Sequence, residues 1–120
     1  MKLYESAQDY LERILILTKN SNIRSIDLAN DIGYTKQSIS RAIRKLKEDN
    51  LISIDENGFL HLTESGYEIA SKIYQRHLVI SQYLMSIGVS EEIALKDACK
   101  MEHDISEETF NIFNSIIKKD

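Results

Sequence analysis

The run Asp97-Ala98-Cys99-Lys100-Met101-Glu102-His103-Asp104 carries a thiol, a carboxylate and an imidazole at positions i, i+3 and i+4. In a helix these positions stack on one face, and together they offer a transition-metal ion one sulfur, one oxygen and one nitrogen ligand. Near the N-terminus, Asp9 and Glu12 repeat the three-residue spacing with two more oxygen donors. A further donor, His77, interrupts an apolar stripe made of Ile69, Ile73, Ile80 and Leu84. An imidazole on that core-facing row needs a partner, because an unsatisfied buried polar group costs about 1–3 kcal/mol.

Each of these residues has a plain alternative. A lone histidine on an apolar face is more often an ordinary core residue, and Asp9, Glu12 and Glu102 could sit exposed against Lys or Arg. The set as a whole favours a cation, since carboxylates gathered in apolar surroundings repel and lose hydration unless positive charge lies among them. Asp9, Glu12, His77, Cys99, Glu102 and His103 are therefore the candidate metal ligands. Mixed oxygen and nitrogen ligation with one sulfur suits Mn²⁺, Fe²⁺, Co²⁺ or Zn²⁺; the oxygens favour the harder ions, while Cys99 pulls towards Fe²⁺ or a softer one. The paired cysteines of a structural zinc module are absent.

These residues must be positioned by helices. Residues 5–19 place Ala7, Leu11, Ile14 and Leu15 on one face. Ser25 is expected to cap a short helix over 26–32 that turns Leu28, Ala29 and Ile32 inward and stops at Gly33. Thr35 caps a third, about 36–49, with Ile39, Ala42, Ile43 and Leu46 inward. In 51–62, Ile52 and Ile54, then Leu60 and Leu62, alternate with polar residues around Asn57-Gly58, the pattern of a β-hairpin. Thr63, Ser90 and Ser106 cap three more helices, about 64–87, 91–103 and 107–118, the last carrying Phe110, Phe113 and Ile117. The fold class is mainly α: a winged helix-turn-helix over 1–63, then a helical dimerisation and metal-binding domain over 64–120.

The third helix shows how such a protein would meet DNA. Gln37, Ser38, Ser40 and Arg41 lie near its N-terminus, where side chains reach base edges; arginine pairs with guanine and glutamine with adenine. Lys36, Arg44, Lys45 and Lys47 suit phosphates, which set affinity rather than sequence choice, and Thr35 joins them at the helix start. A basic helix alone is usually just a solvated face; the helix-turn-helix and hairpin around this one make it a DNA reader. The net charge of −4 does not oppose this, because residues 1–47 hold nine Lys/Arg against five Asp/Glu. The hairpin tip, Glu56-Asn57-Gly58, is weakly acidic and is expected to grip phosphate little.

Composition narrows the rest. One hundred and twenty residues, 42% apolar, make one domain or a small domain with an appendage, a size that often completes its core by dimerising. The single cysteine leaves no internal disulfide and fits a reducing cytoplasm. Met-Lys-Leu-Tyr-Glu at the start reads as charged and amphipathic rather than as a signal peptide, and no apolar run reaches the roughly 20 residues that span a bilayer. A cytoplasmic protein without membrane association is expected.

The chain resembles the DtxR/MntR family of metal-dependent transcriptional repressors over essentially its whole length. The matching stretches are Glu-Ser-Ala-Gln-Asp-Tyr-Leu-Glu at 5–12, Arg24 to Ala29, Ser38 to Ala42, Leu62-Thr63-Glu64-Ser65-Gly66, Arg76-His77 and Ala98 to Ser106. With its end at Asp120 it is similar to the short manganese-regulator form. The resemblance implies that Asp9, Cys99, Glu102 and His103 form the regulatory site, and that Glu12 and His77 hold a second ion. Asp9 is the manganese-type residue at its position and Cys99 the iron-type one, so the chain is a hybrid. Ser81 and Leu95 replace an acid and a histidine of the iron-type ancillary site. The implied function is a homodimeric repressor controlling metal homeostasis, with Mn²⁺ or Fe²⁺ as cofactor (Co²⁺ or Zn²⁺ as substitutes) and a near-palindromic DNA operator as partner. A metal-independent winged-helix regulator answering to a small molecule is the alternative. A metalloenzyme is disfavoured, because the ligands would fill the coordination sphere and no nucleophile or phosphate loop accompanies them.

Overall fold

The computed structural model describes residues 5–33 and 35–118; residues 1–4, part of the charged start, lie outside them. The elements run α1 (Glu5–Thr18), α2 (Ser25–Ile32), α3 (Lys36–Glu48), β1 (Ile52–Ile54), β2 (Leu60–Leu62), α4 (Glu64–Ser86), α5 (Glu91–Met101) and α6 (Glu107–Lys118). They form two compact units, divided between Ser71 and Lys72. The division falls within α4.

In the first unit α1 packs on α2, α3 and β2, and α3 also meets β1. Its core is Leu11, Ile14, Leu15, Leu28, Ile39, Ile43, Leu46, Ile52 and Leu60, all buried, which are the residues that helical and strand periodicity point inward. The bidentate pair Arg13–Asp31, at 2.7 and 3.1 Å, joins α1 to α2. Gly33 ends α2 with φ of 85°, a left-handed conformation that a Cβ disfavours.

The cap of α2 differs from expectation. Arg24, not Ser25, is the N-cap, and Ser25 is the first helical residue. The cap works through Asp27, whose Oδ2 accepts from the Arg24 backbone N–H at 2.8 Å. A carboxylate three residues into the helix, also favoured by the helix dipole, displaces the hydroxyl. At α3 the expectation holds: Thr35 Oγ1 accepts from the Ser38 N–H at 3.1 Å.

The hairpin is antiparallel, with Ile52 opposite Leu62, Ser53 opposite His61 and Ile54 opposite Leu60. Ile52 and Leu60 are buried, but Ile54 is exposed. The expected alternation fails there because the strands are only three residues long and Ile54 adjoins the projecting turn. That turn is organised by Asp55, whose Oδ1 accepts from the N–H groups of Asn57 and Phe59 at 2.9 and 3.0 Å, while Oδ2 meets His61 Nε2 at 2.8 Å. The His61 contact, then the backbone donors, hold the Asp55 carboxyl below the usual carboxylate range.

The start of α4 is pressed against the chain that enters the hairpin. Thr63 Oγ1 donates to the carbonyl of Asn50 at 2.8 Å and accepts from the Gly66 N–H at 3.1 Å. A Cβ on Gly66 would overlap the carbonyl oxygen of Leu51.

In the second unit the α4 segment from Lys72 onward contributes the buried Ile73, Val79 and Ile80, and α5 contributes Ala94 and Ala98. Tyr83 of α4 stacks on Phe113 of α6 with ring centroids 4.2 Å apart. Helix α5 stops at Met101, two residues short of its expected end, because Glu102 is its C-cap and the next residues turn. The Ser106 hydroxyl then caps α6 by accepting from the Thr109 N–H at 3.1 Å. At α5 Ser90 makes no side-chain cap bond; Glu91 and Glu92 supply the negative charge that a helix N-terminus favours.

Two predictions follow from these contacts. Gly66→Ala is expected to lower stability by roughly 1–3 kcal/mol or more, since backbone cannot yield as a flexible side chain can; urea unfolding of the variant against wild type measures it. Because the Asp55 carboxyl is depressed, its contribution to hairpin stability is present above the unfolded carboxylate pKa and lost as pH falls through the lower folded value. In an NMR titration Asp55 should protonate at lower pH than in the His61→Ala protein; coincident curves would contradict this.

Candidate metal centre and nucleic-acid interface

The chemistry of the second unit converges on Glu102. Its side chain is fully buried, held by its place as the C-cap of α5 with φ −59° and ψ −24°. Those angles remain helical, so Cys99 and Glu102 keep the i, i+3 offset, whereas His103 falls in the turn beyond the helix. From α4, His77 comes in against both. Its Nδ1 lies 3.2 Å from Glu102 Oε2 and 3.8 Å from Cys99 Sγ. On the other side His103 Nε2 is 3.5 Å from Glu102 Oε1. Ligand atoms of His77, Cys99 and Glu102 all lie within 4.8 Å of one another.

This donor set fits a divalent cation. Neither oxygen of Glu102 accepts a hydrogen bond among the described residues; the two imidazole nitrogens approach without hydrogen-bond geometry and are charge partners only when protonated. A buried carboxylate in that condition is costly unless a cation meets it. With metal–nitrogen and metal–sulfur bonds of roughly 2.0–2.3 Å, neighbouring ligand atoms stand roughly 3–3.7 Å apart, close to the separations found. Cys99 is exposed, which leaves an entry path for an ion.

Asp9 and Glu12 lie three residues apart on α1 of the first unit, Glu12 buried and Asp9 half-buried. The structure thus brings Cys99, Glu102 and His77 into one group and sets His103 on the opposite oxygen of Glu102.

A residue named above only within a family-matching stretch supports this arrangement. Arg76, on α4 immediately before His77, donates from one terminal nitrogen to the carbonyls of Glu102 and Ile105 at 3.2 and 2.9 Å. Its other terminal nitrogen donates to Glu107 Oε1 at 3.1 Å, and the guanidinium lies over the Phe110 ring, 5.4 Å from its centroid. The turn after α5 must find donors for the last carbonyls of the helix, and it contains no capping glycine; that need was the available signal.

In the first unit Lys36, Gln37, Ser40, Arg41 and Arg44 line a shallow open groove along α3. All five are exposed. Thr35 and Ser38 are engaged with each other in the helix cap, hydroxyl to hydroxyl at 3.0 Å, and Lys45 faces Asp49 at 3.4 Å; Lys47 is exposed. Arg24, likewise named above only within a matching stretch, holds the hairpin tip: its Nε donates to the Asn57 carbonyl at 3.1 Å, and its guanidinium lies over the Phe59 ring at 4.7 Å.

Comparison with known proteins agrees with this picture. Residues 63–119 match the family described as iron dependent repressor, metal binding and dimerisation domain. The chain is 32% identical over 116 residues to the transcriptional regulator MntR of Escherichia coli O6:H1, covering 96% of this chain and 75% of that protein. The chain belongs to the DtxR/MntR family of metal-dependent transcriptional regulators. It is also 30% identical to the HTH-type transcriptional regulator MJ0568 of Methanocaldococcus jannaschii, covering 96% of this chain and 94% of that one. Among solved structures, a manganese-dependent transcriptional repressor in complex with manganese superposes with a TM-score of 0.85 at 27% identity, over 93% of this chain. The chain spans 52% of that structure's length. Members of the family are DNA-binding regulators with a dimerisation domain, and no described helix of this chain is long and apolar enough to cross a membrane.

The site carries its own test. In wild type, a divalent ion at a hundred times its Kd should add about 2.7 kcal/mol of stability. In Glu102→Gln that increment should vanish; differential scanning calorimetry with and without chelator reads it, and an undiminished shift would contradict the central place given to Glu102.

Proposed function

We propose that this protein is a Mn²⁺- or Fe²⁺-dependent homodimeric transcriptional repressor that acts in the cytoplasm on a near-palindromic operator and controls metal homeostasis. The observation that carries the reading is the buried Glu102 carboxylate, without a hydrogen-bond donor among the described residues and flanked by His77, Cys99 and His103. Residues 1–63 act as the DNA-binding domain and 64–120 as the dimerisation and metal-binding domain. Asp9 and Glu12 are proposed as the further ligands, on the strength of the family resemblance and the hardness of their oxygens. Co²⁺ or Zn²⁺ substitute in the same donor set. The chain is not an enzyme: its donors are ligands, and no separate reacting group accompanies them.

A bound ion supplies the positive charge that lets these acids share one place. The protein's own residues do the rest. Arg76 fixes the Glu102–Ile105 turn. Asp9 and Glu12 project from the helix that packs on α2 and α3, so binding them biases the DNA-reading unit. Gln37, Ser40 and Arg41 read bases, and Lys36, Arg44, Lys45 and Lys47 hold phosphate, with Thr35 and Ser38 fixing the start of the reading helix. Dimerisation is supported by the apolar surface of the second unit: Ile87, Ile93, Ile112 and Ile116 are exposed, and α6 buries none of its residues, an arrangement that a second subunit would cover.

Coupling of this kind is typically worth about 1–3 kcal/mol, or roughly 5- to 150-fold in affinity. Operator affinity, measured by fluorescence anisotropy on sequences selected from random DNA, should rise by that factor from chelator to saturating Mn²⁺ or Fe²⁺. Arg41→Ala should cost about 1–3 kcal/mol of specific binding, and Lys19→Ala little. Equal affinity with and without metal would overturn the reading.

A further inference from the structure

Asp31 stands where a helix disfavours it. It lies in the last turn of α2, at the end that carries partial negative charge, and no basic residue of that turn offsets it. Its counter-charge comes from another helix. Arg13 of α1 donates from Nε to Asp31 Oδ2 at 2.7 Å and from Nη2 to Oδ1 at 3.1 Å. Two parallel bonds of this kind fix direction as well as distance. Arg13 directly follows Glu12 and is four residues from Asp9 on the same helix. Asp31 is two residues before Gly33, whose left-handed φ of 85° turns the chain from α2 towards α3. One end of the pair thus sits on the helix whose carboxylates are proposed as ligands, and the other beside the turn into the reading helix. We infer that Arg13 and Asp31 are positioning residues, a strut that carries the effect of an ion held by Asp9 and Glu12 to the orientation of α3.

The inference rests on the metal-dependent reading above and specifies how its signal leaves the site. Leu11, Ile14 and Leu15 anchor α1, which packs on α2 and α3, by apolar burial, and such burial has no preferred direction. A guanidinium forked on a carboxylate has one. A rotation of α1 that leaves the apolar contacts in place therefore still displaces the end of α2. The pair is a poor candidate for a purely stabilising role. Its side chains are 38% and 26% exposed, and ion pairs so open to water add little to global stability. A carboxylate kept in an unfavourable place, with its partner supplied from the ligand-bearing helix, is a local conflict of the sort that accompanies function.

Operator affinity of the whole chain, measured by fluorescence anisotropy in chelator and in saturating Mn²⁺, tests the strut. The ratio of the two affinities should fall by roughly 2- to 30-fold in Asp31→Asn and in Arg13→Gln, the range over which residues between two sites alter their coupling. Mn²⁺ affinity of the DNA-free variants should stay at the wild-type value, because neither residue is a ligand; a matching loss there would overturn the positioning role. The double variant Arg13→Gln/Asp31→Asn should lose no more than either single one, as for two ends of one interaction. Arg13→Lys, which keeps the charge without the fork, should recover only part of the ratio. A role in stability alone would lower the melting temperature and leave the ratio unchanged. That result, additive losses in the double variant, or full coupling in Arg13→Lys would overturn the strut. Should Arg13→Gln fail to fold, Arg13→Lys and Asp31→Asn, which relieves the charge at the helix end, decide. A wild-type ratio of one would overturn metal-dependent regulation and the strut with it. A normal wild-type ratio left intact in the variants would overturn the strut alone.

Discussion

A carboxylate buried without a hydrogen-bond donor among the described residues is the constraint around which the second unit is organised. Glu102 has no solvent exposure, and burial of an ionised group without compensation costs several kcal/mol. Everything near it works to hold that costly group in place. Helix α5 ends on it, α4 brings His77 to one side, and Arg76 grips its backbone carbonyl from the neighbouring position on α4. A positive partner offsets such burial.

Much of the fold was legible because the relevant signals are local. Leu11, Ile14, Ile39, Ile43 and Leu46 recur at helical spacing and are buried; Thr35, Thr63 and Ser106 cap through their own hydroxyls. What could not be read depends on competition. At α2 both Ser25 and Asp27 could serve the helix start, and the carboxylate prevails. At α5 nothing in Met101-Glu102-His103 announces an end, so periodicity carried the helix two residues too far. At Ile54 alternation predicts burial, but the strand ends before any layer covers it.

The candidate site was legible in its members more than in their grouping. Residue type and spacing picked out Cys99, Glu102, His103 and His77, because few other reasons place such donors together. Which of them shares an ion with which is a matter of side-chain direction across two helices, and sequence spacing does not encode it. The role of Arg76 was not legible for the same reason: its partners are backbone carbonyls 26 and 29 residues away, and any residue type supplies a carbonyl.

In the first unit, one arginine performs two tasks. Arg24 is the N-cap of α2 and also holds the hairpin tip through Asn57 and Phe59, while its neighbour Ile23 accepts from the Leu60 N–H at 2.8 Å. The wing is thus no loose flap. Any force that lifts it must also loosen the first turn of α2, so that hairpin and helix are displaced together.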